Sequence, residues 1–203
     1  MFEGIGSVSL SIVGKALEDC KEWLKAHELI CSKEPTKDLT WIPPLMNELK
    51  CNIGIAWSKK HQMAGVSWVV RNWKGRVLLH SRCSFSQISS HFDAKIKGWN
   101  YAVESMDQFK FDRVTFGAST HDIIKAMHKP NQWPALRAQI DDLLMRAKDK
   151  ELWFMAMEPH HCNEGASEIA KSVITGMRWQ SYVASGYPRW LQNFFEAEGN
   201  LSR

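Results

Sequence analysis

The chain has 203 residues, of which 44% are hydrophobic and 24% charged, a balance typical of one globular domain with an appendage. The formal net charge of +4 permits nucleic-acid binding without requiring it, because many proteins that bind none are as basic. The 5 cysteines include no C-x-x-C pair. This odd number and spacing argue against a disulfide framework and a zinc ribbon, and favour a reducing compartment.

The first residues do not have the pattern of a signal peptide, since Glu3 is acidic and no basic stretch precedes the apolar run. No apolar run approaches the ~18 residues that a membrane span needs. We therefore expect an intracellular location, in the nucleus or the cytoplasm, and no membrane partner.

The N-terminal segment predicts a helix followed by a linker. Residues 15–30 place apolar side chains at helical spacing on one face, which indicates an amphipathic helix. Residues 32–44 contain Pro35, Pro43 and Pro44, which exclude regular structure there. We expect residues 1–44 to form a helix and a proline-containing linker ahead of the main domain.

Strand-like and helix-like runs alternate after Lys50. Three strands come first, with Gly75 in the turn between the second and the third. Thr120 is a possible helix cap, Pro134 suits a first helical turn and Gly176 a helix end. The predicted strands are 51–58, 63–72, 76–85, 112–119 and 151–159, and the predicted helices are 92–108, 120–129, 133–150 and 163–176.

This order predicts an α/β fold, a mixed five-stranded sheet of three antiparallel strands followed by alternating strands and helices. We place this domain at residues 45–178. Residues 179–203 form an aromatic C-terminal tail, which packs back on the domain or on a partner.

Several motifs occur in an order that resembles one family. They are WIPPLMNELKCNIGIA from Trp41, AGVSWVVRNWKG from Ala64 and NEGASEIAKS from Asn163, preceded by ALEDCKEW from Ala16. The chain resembles the plant ribonuclease-H-like domain of non-LTR retrotransposon reverse transcriptases, from Trp41 to about Ile174. The resemblance implies the ribonuclease H fold.

The family's chemistry uses four carboxylates that hold two divalent cations, and magnesium requires hard oxygen ligands. The positions that match those acids here are Gly54, Lys95, Ser119 and Ser167. The resemblance therefore implies no catalytic residue, no metal ligand and no cofactor. Asp93, Asp122 and Glu164 lie near these positions, and a rebuilt site that uses them stays open as an alternative.

The residues that we assign to nucleic-acid contact are Lys59, Lys60, Arg71, Lys95 and His161. Lys59, Lys60 and Arg71 belong to a cluster with Lys74 and Arg76 near the first strands, and the alternative is a solvated strand edge. Lys95 is expected to project toward the groove, where it meets a phosphate, pairs with an acid such as Asp93, Asp122 or Glu164, or reaches water. The neighbouring run His160-His161-Cys162 is expected to be a loop and not a zinc site.

The tryptophans divide into two predicted groups. Trp57, Trp68, Trp99 and Trp153 are expected in the core, because they lie in strands or on a helix face. Those in linkers, turns and tail are expected at contact surfaces: Trp41, Trp73, Trp179 and Trp190.

Three functions remain open from the sequence. The first is a catalytically inactive ribonuclease-H-like module that binds RNA, DNA or an RNA–DNA hybrid without cleavage. The second is a protein-interaction module that uses the N-terminal helix and the aromatic tail. The third is an active metal-dependent hybrid ribonuclease with a rebuilt site, which the four replaced acids disfavour.

Overall fold

The computed structural model describes residues 41–148, 150 and 152–201. The helix predicted over 15–30 and most of the linker lie outside these residues. The linker's last residues, 41–44, form neither helix nor strand, as their prolines predict.

Three antiparallel strands open the domain: β1 (Leu49–Ser58), β2 (Met63–Asn72) and β3 (Val77–Phe85). The turn between β2 and β3 contains Gly75, whose φ of 73° lies in the left-handed region that favours glycine. The side-chain oxygen of Asn72 accepts hydrogen bonds from the backbone N–H groups of Lys74 and Arg76 in this turn. The predicted turn is therefore confirmed.

Two further strands, β4 (Arg113–Ala118) and β5 (Leu152–Met157), run parallel to β1. The strand order across the sheet is β5-β4-β1-β2-β3-β6. Because β1, β3, β4 and β5 all run in one direction, their carboxyl ends lie at the same end of the sheet. We call this end the carboxyl edge.

The sixth strand corrects the prediction of five. Residues Tyr182–Ser185 form β6, which pairs antiparallel with β3 and extends the sheet. The segment was predicted only as an aromatic tail, because four residues are too few for a clear alternating pattern. The α/β fold class is confirmed, whereas the domain division at residue 178 stays a prediction.

Within the described residues, five α-helices connect or flank the strands. Ser90 caps the first of them by accepting a hydrogen bond from the backbone N–H of Asp93. Thr120 occupies the N-cap position of the second, as predicted, but its side chain makes no capping hydrogen bond: its hydroxyl oxygen accepts a hydrogen bond from the Trp99 indole at 2.8 Å. The helices are α1 (His91–Gln108), α2 (His121–His128), α3 (Arg137–Lys148), α4 (Glu164–Thr175) and α5 (Gln192–Leu201). Pro134 lies in a short 3₁₀ turn ahead of α3, and Gly176 follows the last residue of α4.

The sheet is covered on both faces. Helices α1, α2 and α3 pack on one face around the main hydrophobic core, where Trp68 and Trp99 are fully buried as predicted. Helices α4 and α5 contribute to a smaller cluster on the other face, with Val69 from β2 at its centre. Among the described residues, no helix is both long and apolar enough to cross a membrane.

Candidate functional site

The four positions at which the sequence resemblance predicts replaced acids all lie toward the carboxyl edge. Gly54 is on β1, and Ser119 directly follows β4. Since Asn52 of β1 pairs with Gly117 of β4, Gly54 and Ser119 are each two residues further along neighbouring strands. Lys95 is in the first turns of α1 and Ser167 in the first turn of α4, and both helices begin at this edge.

Helix α4 packs directly on Gly54 and leaves no room for a side chain. A Cβ at this position would overlap the carbonyl oxygen of Ala166 and lie 2.6 Å from the hydroxyl oxygen of Ser67. Ser67 is opposite Gly54 on β2 and donates a hydrogen bond to the same carbonyl oxygen at 2.5 Å. The space that an aspartate side chain would need is therefore filled by protein atoms.

Ser167 is buried and turned toward its own helix. Its hydroxyl donates to the carbonyl oxygen of Asn163 at 2.9 Å, and the Asn163 amide nitrogen donates to the carbonyl oxygen of Ile53 at 2.7 Å. These bonds tie the start of α4 to β1 beside Gly54. Ser119, by contrast, is exposed.

Lys95 forms an ion pair between the start of α1 and the start of α2. Its ammonium nitrogen donates to a carboxylate oxygen of Asp122, in the first turn of α2, at 2.7 Å. Partial burial alone would raise the pKa of the Asp122 carboxyl. The hydrogen bond and the positive charge of Lys95 outweigh that effect and hold this pKa below its ordinary value.

A magnesium ion does not fit this set of residues. Magnesium needs several oxygen ligands that carry negative charge, and the positions supply a glycine, an ammonium group and two neutral hydroxyls. The neighbouring acid, Asp122, is already bound by Lys95. Within the described part of the chain, no three His, Cys, Asp or Glu side chains are grouped so that they could hold a metal ion.

Buried charges lie beside the site, on the sheet face that α4 and α5 cover. The Lys50 ammonium is 2.5 Å from a Glu158 carboxylate oxygen. The Arg71 guanidinium is 2.7 Å from a Glu198 carboxylate oxygen of α5, with side-chain exposures of only 1% and 14%. Burial lowers the pKa of Arg71 and raises that of Glu198, and their mutual attraction opposes both shifts.

Two expectations are corrected at this cluster. Arg71 does not lie on a solvated strand edge, and a phosphate cannot reach it while it is buried between the rings of Trp41 and Phe195. Trp41 is not a contact surface: it is buried, and its indole N–H donates to the side-chain oxygen of Asn52 at 2.9 Å. The alternating strand pattern showed which face Arg71 occupies, but not that α5 covers that face.

The remaining basic residues divide between the two ends of the sheet. Lys59 and Lys60 are exposed in the turn between β1 and β2, at the carboxyl edge. His161 is exposed at the same edge, between β5 and α4, in a short 3₁₀ helix (His160–Asn163) where a loop was expected. Lys74 and Arg76 lie in the turn between β2 and β3, at the opposite end of the ten-residue strand β2. The basic residues that form one cluster in the sequence are therefore two groups at opposite ends of β2.

The sequence did not predict an aromatic pair that lies at the carboxyl edge. His91, the first residue of α1, is exposed and stacks on Trp57 at the end of β1, with ring centroids 6.1 Å apart and planes within 17°. Trp57 was expected in the core and is only half-buried, as is Trp153. The hydrophobic pattern of α1 gave no signal for His91, because the pattern does not include its first residue.

Other tryptophans are exposed as expected. Trp73, Trp179 and Trp190 show 43%, 55% and 53% of their surface to solvent. Val183 of β6 is also exposed.

Comparison with known proteins gives structural neighbours only. No family model and no curated protein sequence matches the chain. Ribonuclease H1 from the halophilic archaeon Halobacterium salinarum superposes with a TM-score of 0.57 at 17% identity, over 64% of this chain and 98% of that one. LC11-RNase H1, solved in complex with an RNA/DNA hybrid, gives 0.56 at 15% identity, over 64% of this chain and all of that one. LC9-RNase H1 superposes with a TM-score of 0.55 at 13% identity, over 77% of this chain and 86% of that one.

These likenesses, together with the mixed sheet and its flanking helices, define the class: the chain has the ribonuclease-H-like fold. Sequence identities of 13–17% support a shared fold but not a shared activity.

Proposed function

We propose that this protein is a ribonuclease-H-like module that binds nucleic acid at its carboxyl edge and does not hydrolyse it. The observation that carries the proposal is the Lys95–Asp122 ion pair, 2.7 Å long, at a position where the family binds metal. An ammonium group supplies no ligand for a metal ion, which needs oxygen ligands that carry negative charge. The ion pair also occupies Asp122, one of the three acids that were candidates for a rebuilt site.

The packing around Gly54 is a second, independent argument for the same proposal. Loss of an aspartate could be reversed by one substitution if its space remained, but α4 has closed that space with the Ala166 carbonyl group. Two-metal hydrolysis would then need a shift of α4 as well as new acids at Lys95, Ser119 and Ser167.

The positive charge at the carboxyl edge supports binding. Lys59, Lys60 and His161 are exposed there, and α1 and α4 begin there, so their partially positive N-terminal ends face the same side. A solved neighbour, LC11-RNase H1, holds an RNA/DNA hybrid, which adds a fold-level analogy. We further propose, from the motifs that begin at Trp41, Ala64 and Asn163, that the module derives from the plant non-LTR retrotransposon type.

The test is binding to a labelled RNA–DNA hybrid, to double-stranded RNA and to single strands, each at two salt concentrations. The proposal expects binding that weakens as salt rises, because phosphate contacts release counterions. No binding to any of these probes at low salt would overturn it.

A protein-interaction module is the second candidate function. It is favoured by one observation, the exposed apolar side chains of Trp179, Val183 and Trp190 in the segment after α4. The replacements Trp179→Ser and Trp190→Ser would separate the two functions. They leave nucleic-acid binding unchanged under the first proposal and abolish partner binding under the second.

A further inference from the structure

The stacked pair of Trp57 and His91 is a feature that the proposed function does not yet use. Trp57 is fixed in place: its indole N–H donates to the carbonyl oxygen of Ile88 at 3.0 Å, and its ring packs against a buried cluster that includes Ala64 and Ala94. His91 lies over this anchored ring, nearly parallel to it, and is itself exposed. The result is a flat aromatic surface at the carboxyl edge, supported from below.

Charged groups flank this surface in an arrangement that suits a nucleotide. Lys59 and Lys60 are exposed in the turn that follows Trp57. Lys95 lies one helical turn after His91, about 6 Å further along the axis of α1. Asp93, the acid nearest in sequence, has its carboxylate held by the hydroxyls of Ser89 and Ser90 at 2.6 and 2.7 Å.

The charge state of His91 also suits stacking. Partial burial, followed by the nearby positive charge of Lys95, lowers the pKa of this imidazole, while Asp122 acts in the opposite direction. The ring is therefore neutral at physiological pH, and its desolvation under a base is less costly than that of an imidazolium.

Resting on the proposed function, we propose that His91 and Trp57 form a stacking platform for an unpaired nucleobase, so that the ligand of this edge is single-stranded nucleic acid. A base inside a duplex has both faces covered by its neighbours and presents only its edges. An unpaired base has free faces, and stacking on an aromatic side chain contributes ~1–3 kcal/mol per base. Lys59 and Lys60 then meet the phosphates on either side of that base.

The experiment is a fluorescence-anisotropy titration of a labelled 12-nucleotide single strand, its abasic counterpart and a blunt RNA–DNA hybrid. The proteins are the full chain, His91→Ala, His91→Phe and a matched control, His121→Ala, which removes an exposed histidine from the first position of α2. Thermal unfolding of each variant verifies that it is folded.

We expect the parent to bind the base-containing strand about tenfold more tightly than the abasic strand. His91→Ala should lose about tenfold on the base-containing strand and little on the abasic one. His91→Phe should retain affinity within about threefold, because a phenyl ring restores the flat surface, and His121→Ala should bind as the parent does.

The outcomes separate this inference from the function on which it rests. Three results would each overturn the stacking platform, even if the hybrid is still bound. In the first, the parent binds the base-containing and abasic strands equally well. In the others, His91→Ala binds as the parent does, or His91→Phe fails to retain affinity. Absence of binding to every probe overturns the proposed function itself. If His91→Ala fails to fold, the abasic strand and His91→Phe still decide the question.

Discussion

The ammonium group of Lys95 and the carboxylate of Asp122 are 2.7 Å apart, and they join the first turns of α1 and α2 at the carboxyl edge. The side chains are 19% and 33% exposed, so the pair is neither fully solvated nor fully desolvated. The positive charge of Lys95 and the negative charge of Asp122 cancel within the pair. A phosphate that approaches Lys95 therefore also meets the negative charge of Asp122.

This balance predicts that Asp122→Asn strengthens nucleic-acid binding. Removing the carboxylate leaves the Lys95 charge uncompensated and removes repulsion of the phosphates, so we expect affinity to rise about threefold, on the order of 0.7 kcal/mol. Anisotropy titration at low and moderate salt measures this. Unchanged or weaker binding would show that the pair does not face the ligand.

Lys95→Ala should act in the opposite direction. Loss of one phosphate-facing cation should weaken binding and reduce the slope of log affinity against log salt by about one counterion. Lys95→Glu should weaken binding further and should not produce cleavage, since Gly54, Ser119 and Ser167 are unchanged. Equal salt slopes for the parent and Lys95→Ala would contradict this prediction.

The same pair gives a pH dependence of stability. The pKa of Asp122 is lower in the folded protein than its ordinary value, so the stabilisation is present above about pH 4 and is lost as the pH falls through the folded value. We expect Lys95→Ala to reduce the free energy of unfolding by about 0.5–1 kcal/mol at pH 7, after allowance for solvent screening. Urea unfolding at pH 7 and pH 3 should show this difference shrink at the lower pH.

Gly54→Ala should destabilise the protein because its Cβ would overlap the Ala166 carbonyl group and force α4 away from the sheet. A cost of about 2–4 kcal/mol is expected for strain of this kind in a packed interior. Gly199→Ala in α5 is the matched control: its added Cβ meets no atom within 4 Å, and alanine favours the helix. The measurement is urea unfolding, and equal stabilities of the two variants would contradict the packing described at Gly54.

The buried Arg71–Glu198 pair should show strong coupling. Arg71→Leu leaves the Glu198 carboxylate without its cation beneath α5, and we expect a loss of about 3 kcal/mol. Glu198→Gln added to Arg71→Leu should recover part of that loss, because the uncompensated charge is then gone. A double-mutant cycle by urea unfolding measures the coupling, and strictly additive losses would show that the two residues do not interact.

The sequence predicted most of the elements because their hydrophobic periods were long and clear. The helix predicted over 92–108 begins at His91 and ends at Gln108, and the strand predicted over 151–159 is Leu152–Met157. The four positions of the site followed from motif order, not from periodicity. The sequence could not show which acid pairs with Lys95, since Asp93, Asp122 and Glu164 all remained candidates.

What the sequence missed depends on contacts between distant residues. Arg71 looked like a surface cation, because the pattern of β2 does not reveal that α5 covers it with Phe195 and Glu198. Trp41 looked exposed, because a residue beside prolines gives no periodic signal. β6 has only 4 residues, and it is specified by its pairing with β3 more than by its own pattern.

The decisive measurement incubates this 203-residue chain and millimolar magnesium with an end-labelled RNA–DNA hybrid or an end-labelled RNA single strand, and reads bound and cleaved RNA from the same sample. We expect a complex that forms at low salt, weakens at higher salt and leaves the RNA strand intact. Shortened RNA above a heat-killed control, in proportion to the amount of purified protein, would contradict it. Absence of a complex with either probe at low salt would contradict the binding half of the proposal.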